Sequence, residues 1–302
     1  MPRKRATSLH FSRLLLQLPS MKPRLIPRLD IKGPNIVKGI HMEGLRVVGN
    51  PVMLAKKYYE QGADELIAMD IVASLYGRCP DFDLMRAIAD QLFIPLTMGG
   101  GIQSIRDINN FLRAGADKVA INTGAVRRPG LLSEAVHEFG AQCIVLSVEA
   151  KRKHEGIWPA NRSEVSQDKN APLRPTGYGG QPPLRVGWEA YTDGGREHSG
   201  LDALEWIKHA LDLGIGEILL TSVDFDGTRK GYDRELLQAV AGFASVPVII
   251  HGGARDALSM VQAIQEDHAD AVSMASVLHY DEWTIENLKT ELSAHSIPVR
   301  AS

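Results

Sequence analysis

The sequence predicts one α/β domain, a single (β/α)8 TIM barrel with two-fold half-barrel pseudo-symmetry and an insertion after the fifth strand. Three observations predict it. From residue 22 onward, short β-branched runs alternate with amphipathic segments, the pattern of successive βα units. Gly62-Ala63-Asp64-Glu65-Leu66-Ile67 is echoed by Gly214-Ile215-Gly216-Glu217-Ile218-Leu219, an offset of 152 residues. Asp117-Lys118-Val119-Ala120-Ile121-Asn122-Thr123 is echoed by Asp270-Ala271-Val272-Ser273-Met274-Ala275-Ser276, an offset of 153, and each copy follows a Gly-Gly pair. Two like halves of four strands close into a barrel, whereas an open doubly wound sheet needs no such symmetry.

The strands are expected at Arg24–Asp30, Glu65–Asp70, Ile94–Met98, Lys118–Asn122, Cys143–Glu149, Glu217–Val223, Val246–Ile250 and Ala271–Ala275. The first helix is punctuated by Asn50 as N-cap, Pro51 in the first turn and Gly62 past its end. Ser104 with Asp107 opens the third helix and Gly115 closes it; Gly214 ends the fifth. The spacing from Asp30 to Glu149 is 119 residues, not 152, so about 33 extra residues lie between the fifth and sixth strands. The Pro-, Gly- and Asn-rich stretch of residues 153–186 is expected to be that insertion, a loop at the catalytic rim that serves as a lid or as a solvated surface segment.

Composition bounds the function. The chain has 302 residues, formal net charge −2 and 44% hydrophobic residues, enough for a sizeable core. Near-neutral charge argues against nucleic acid or an anionic membrane as partner. Cys79 and Cys143 imply no disulfide framework, and no apolar run of about 18 residues occurs, so the expected compartment is the cytoplasm. Residues 1–20 hold Arg3, Lys4, Arg5 and Arg13 and no acid, so they read as a transit peptide or as a non-native upstream start before Met21. They are set apart from the barrel of residues 21–302.

Barrels of this kind place function at the C-terminal ends of the strands. Asp30 and Glu149 end the first and fifth strands, at symmetric positions, and opposed carboxylates suit acid/base work on a sugar-like substrate. Asp70, Asp224 and Asp226 end other strands and read equally as loop caps. Gly100-Gly101 with Asn122-Thr123, and Gly252-Gly253 with Ala275-Ser276, form two glycine-plus-hydroxyl sets. Glycines let backbone N–H groups approach an anion, and the following helix turns its N-terminus to the charge. Two such sets imply two phosphates at opposite ends of one ligand. Asp226-Gly227-Thr228 adds donors to the second, and His251 before Gly252 either adds a positive donor or packs. No zinc spacing, Walker loop or isolated strand-end lysine is present, and no cofactor is implied.

With those residues in view, the chain resembles the cyclase subunit of imidazole glycerol phosphate synthase over nearly all of residues 22–300. The resemblance is carried by Ile26-Pro27-Arg28-Leu29-Asp30, Val37-Lys38-Gly39, Gly99-Gly100-Gly101-Ile102, Ala116-Asp117-Lys118-Val119, Gly216 to Ser222, and above all Asp226-Gly227-Thr228 through Gly231-Tyr232-Asp233. It implies a barrel that takes ammonia from a glutaminase partner at its N-terminal face. It also implies a bis-phosphorylated aminoimidazole ribonucleotide substrate, split into imidazole glycerol phosphate and an aminoimidazole carboxamide ribotide. By resemblance Asp30 is the catalytic aspartate, Lys38 belongs to the first loop, and Arg24, Glu65, Lys118 and Glu217 ring the ammonia entrance. Asp117 and Gln142 match positions near the glutaminase interface. Three departures stand out: Glu149 where the family has aspartate, the insertion at residues 153–186, and His251 where a small residue is usual.

Competing readings are a related ammonia-using barrel that amidates another substrate, such as a nucleotide sugar in surface-polysaccharide synthesis, and a non-catalytic barrel that activates a glutaminase. The sister isomerase of the pathway fits less well, given the charged quartet and the run from Asp226 to Asp233.

Overall fold

A computed structural model describes residues 22–153 and 187–300. Among these residues eight parallel strands close into a barrel: β1 (Arg24–Lys32), β2 (Leu66–Asp70), β3 (Leu96–Gly99), β4 (Lys118–Ile121), β5 (Ile144–Arg152), β6 (Glu217–Ser222), β7 (Val248–His251) and β8 (Ala271–Met274). Each pairs in parallel with the next, and β8 closes on β1 through Arg24 opposite Ala271 and Pro27 opposite Met274. The eight expected strands are all present within a few residues. Residues 1–20 and, but for Lys153, the expected insertion lie outside the described residues.

Helices cover the outside as the caps foretold. Asn50 accepts from Met53 N at the start of Pro51–Glu60, and Ser104 does the same for Asp107 N at Ile105–Arg113. Gly62, Gly115 and Gly214 follow helix ends with φ of 85°, 103° and 89°, a region where a Cβ would be strained. Among the described helices none is long and apolar enough to cross a membrane.

Two hairpins were not anticipated. Asn35–Ile40 pairs antiparallel with Glu43–Gly49 after β1, and Trp188–Thr192 pairs with Glu197–Asp202 after β5. They occupy equivalent places in the two halves, and both lean over the C-terminal rim.

Alternation along β1 sorts the side chains. Leu25, Leu29 and Ile31 join the large core between barrel and helices, while Ile26 joins a separate cluster in the bore with Ile67, Val145, Leu219, Ile249 and Ala271. The repeated aspartates have a structural task at the floor. The carboxylates of Asp64, Asp117 and Asp270 each accept the N–H that opens a neighbouring segment, Leu25, Leu96 and Val248, each at 2.8 Å.

Candidate active site

The charged quartet closes the N-terminal end of the bore. Arg24 Nη1 lies 2.9 Å from Glu65 and 2.7 Å from Glu217, and Lys118 Nζ lies 3.0 Å from Glu65 and 2.8 Å from Glu217. Cations and carboxylates alternate round one ring, so each buried carboxylate has two partners and each cation has two. Nearby, Asp117 is committed to Leu96 N, and Gln142 donates to Phe139 O.

At the other end the rim gathers a second charge cluster. Asp30 accepts from Arg28 Nε at 2.8 Å and from Lys38 Nζ at 3.3 Å. Lys38, delivered by the first hairpin, also lies 2.7 Å from Asp226 Oδ1. His41 N donates to Asp226 O at 2.8 Å, which fastens the hairpin turn to the loop after β6. Glu149 stands on β5, across the bore, where Gly195 N donates to its Oε2 at 3.1 Å and Asn122 Nδ2 donates to the same oxygen.

Burial acts on every member of this cluster, and the neighbours decide the result. Burial pushes the Asp30 carboxyl up, but the Arg28 and Lys38 cations outweigh it and hold it below the ordinary range. Asp226 is likewise held far below by Lys38 and His251 against its burial. Among the described residues no cation contacts Glu149, so burial wins over Arg28 and the two donors and pushes it up to about 7. Burial and the nearby Arg28 push His251 down, which leaves its ring neutral, 3.4 Å from Asp226. The ring also lines the second cleft.

Both glycine sets lie on the same rim, at opposite sides of the bore. The first cleft is lined by Asp70, Gly100, Gly101, Asn122, Thr123 and Glu149. The second is lined by Lys38, Asp226, Gly227, Gly252 and Gly253, with Arg229, Ala275 and Ser276. A Cβ on Gly100 would fall 2.3 Å from Asp70 O, and one on Gly253 would fall 2.0 Å from Gly231 O, so the backbone approaches as only glycine permits. Asn122 and Ala275 share one unusual backbone conformation, ψ −88° and −72°, the half-barrel symmetry at the level of two residues. The helices that follow, Thr123–Arg127 and Ser276–His279, are about one turn long. Thr123 Oγ1 accepts from Asp193 N in the second hairpin, which overhangs this cleft.

Two of the weighed acids are loop fasteners. Asp70 pairs with Arg78 at 2.8 Å, and Asp224 accepts from Arg152 N at 2.6 Å. Sequence reasoning passed over Arg28 as a site residue, together with the Gly195 turn and Thr221. Arg28 carried a usable signal: two residues before Asp30 on a strand, it must share the inward face.

The family described as "Histidine biosynthesis protein" matches residues 24–284 of the chain. The chain is similar to a protein of Methanococcus maripaludis named "Imidazole glycerol phosphate synthase subunit HisF", 46% identical over 277 residues, covering 92% of this chain and 98% of the relative. Proteins of the same name from Legionella pneumophila and Mycobacteroides abscessus are 50% identical over 230 residues and 44% identical over 281. They cover 76% and 93% of this chain, and 94% and 100% of their own lengths.

Proposed function

The chain belongs to the histidine biosynthesis protein family, and we propose that it is the cyclase subunit of imidazole glycerol phosphate synthase. The observation that carries this reading is the pairing of two anion cradles on one rim with Asp30 and Glu149 between them. An elongated ligand with a phosphate at each tip lies across the mouth, its reacting centre over the acids. The substrate is the bis-phosphorylated aminoimidazole carboxamide ribonucleotide intermediate. The phosphates are held by Gly100, Gly101, Asn122 and Thr123 at one end and by Gly227, Gly252, Gly253, Ala275 and Ser276 at the other, with Asp226 orienting Lys38 beside them.

Ammonia comes from a glutaminase subunit docked on the N-terminal face and enters through the ring of Arg24, Glu65, Lys118 and Glu217. Glu149, near half-protonated at neutral pH, takes a proton from the attacking nitrogen and returns one as the imidazole ring closes. Asp30 stays ionised and stabilises positive charge that develops on nitrogen. The products are imidazole glycerol phosphate, aminoimidazole carboxamide ribotide and one water, which carries off the carbonyl oxygen that the ammonia nitrogen replaces.

Purified protein supplied with ammonium salt is expected to turn over the bis-phosphate substrate, and Asp30→Asn to abolish that turnover. An Asp30→Asn protein as fast as the parent refutes the assignment of Asp30. Glu149 in place of the family's aspartate favours one second reading, an ammonia-using paralogue that amidates another substrate. A parent that leaves the bis-phosphate untouched, yet stimulates its glutaminase, points to that reading or to a non-catalytic activator.

A further inference from the structure

Arg28 is fully buried, and its guanidinium crosses the bore. Nε binds Asp30 Oδ1 on its own strand at 2.8 Å, while Nη1 reaches Thr221 Oγ1 on β6 at 3.1 Å. The strand β6 is three places round the barrel from β1, by way of β8 and β7, so the side chain spans the interior to Thr221, level with Glu149 on β5. One guanidinium N–H therefore holds Asp30 Oδ1, and Lys38 holds the other oxygen. A carboxylate with one cation on each oxygen has little freedom to turn or to accept a proton.

The surroundings add up in the same sense. Facing Asp30 are Arg28 from β1, Lys38 from the first hairpin, Asp226 from the loop after β6, His251 from β7, Glu149 from β5 and His279 from the short helix after β8. Two cations balance the carboxylates of Asp30 and Asp226, and both imidazoles are held neutral by burial. Among the described residues the third carboxylate, Glu149, has no cation in contact. One Arg28 nitrogen, Nη2, has no hydrogen-bond partner among the described residues. The guanidinium is thus anchored through Asp30 and Thr221.

We propose that Arg28 is a positioning residue that reaches across the bore to pin Asp30 in one orientation as a permanent anion, which leaves Glu149 as the acid of this cluster that exchanges protons during the reaction. The inference rests on the cyclase reading for its rate measurement only. The state of Asp30 is read without substrate.

The experiment follows side-chain carboxyls by 13C NMR from about pH 3 to about pH 8 in the parent, Arg28→Met, Arg28→Gln and Arg28→Lys, with Asp30→Asn to assign the Asp30 signal. In the parent, Asp30 stays ionised down through the ordinary carboxylate range. In Arg28→Met its midpoint rises by about one pH unit or more, and Arg28→Lys, which restores the charge, recovers most of that shift. With the bis-phosphate substrate, kcat of Arg28→Met falls about tenfold or more while KM stays within about threefold, since the residue acts through Asp30 and not on the ligand. If Arg28→Met does not fold, Arg28→Gln, neutral but still a donor, is read in its place. A parent in which Asp30 titrates at or above the ordinary carboxylate value overturns the proposal without any variant. So does a folded Arg28→Met or Arg28→Gln with the midpoint unmoved. A parent that shows no cyclase turnover but a pinned Asp30 sinks the cyclase reading and upholds this one.

Discussion

Lys38 holds Asp226 at 2.7 Å, and this ion pair joins the His41 N–Asp226 O hydrogen bond in tying the first hairpin to the loop after β6 at the mouth of the second cleft. Both side chains are almost wholly buried, 3% and 2% exposed. Replacing Lys38 by Met leaves Asp226 and Asp30 short of a cation, and breaking one side of a buried pair costs about 3–5 kcal/mol. Urea unfolding of Lys38→Met measures the loss. Adding Asp226→Asn is expected to recover part of it, because the orphaned charge is then gone; no recovery means that the pair does not carry the coupling.

The raised Glu149 carboxyl gives stability a definite slope with pH. Its value is about 7 in the folded chain against 4.5 for the free group, so between those limits the native state binds the proton that the unfolded chain has released. Stability therefore falls as pH rises through that window, by about 3 kcal/mol from this group. Asp30 and Asp226 act oppositely and lower, since their depressed carboxyls stabilise above the ordinary carboxylate range and lose that effect as pH falls below it. Unfolding free energies of the parent and Glu149→Gln, measured at a series of pH values, are expected to differ in slope inside the Glu149 window. Parallel curves there contradict the raised carboxyl.

Shortening the same acid tests whether the pocket is built for it. Asn122 and Gly195 both donate to Glu149 Oε2, one from the end of β4 and one from the second hairpin. Aspartate withdraws the carboxylate from both donors, and a displacement of about 1 Å costs on the order of 100-fold in rate. Turnover of Glu149→Asp is expected to fall by that amount. Activity kept or raised instead means that the family's aspartate geometry applies and that the two donors follow the shorter side chain.

The ring at the floor predicts a split between nitrogen sources. Lys118 is shared by Glu65 and Glu217, and Lys118→Met opens one side of the ring. With a glutaminase partner bound, glutamine-driven turnover is expected to drop by about tenfold while ammonium-driven turnover stays within about twofold. Equal losses for both sources mean that the ring only supports the barrel.

Much of this was legible in the chain because it depends on local rules. The glycines after helix ends need positive φ, and the Asn and Ser caps satisfy free N–H groups. Asp30, Glu149 and the two glycine sets could be placed on one rim because every parallel strand of such a barrel points the same way. The first hairpin was missed because Asn35–Ile40 and Glu43–Gly49 show no clear alternation of apolar and polar residues; the latter strand is mostly exposed.

By itself the sequence determined the eight-strand barrel and the placement of acids and glycines on its rim, and its family resemblance implied the four charges at the floor. Only the folded chain decided which acids share cations. Arg28 meets Thr221 from 193 positions away, and Lys38 meets Asp226 from 188. Such pairings set which carboxyl stays charged and which holds a proton, because the energy of a buried charge depends on neighbours within a few ångströms, and closure of the barrel alone brings those neighbours together.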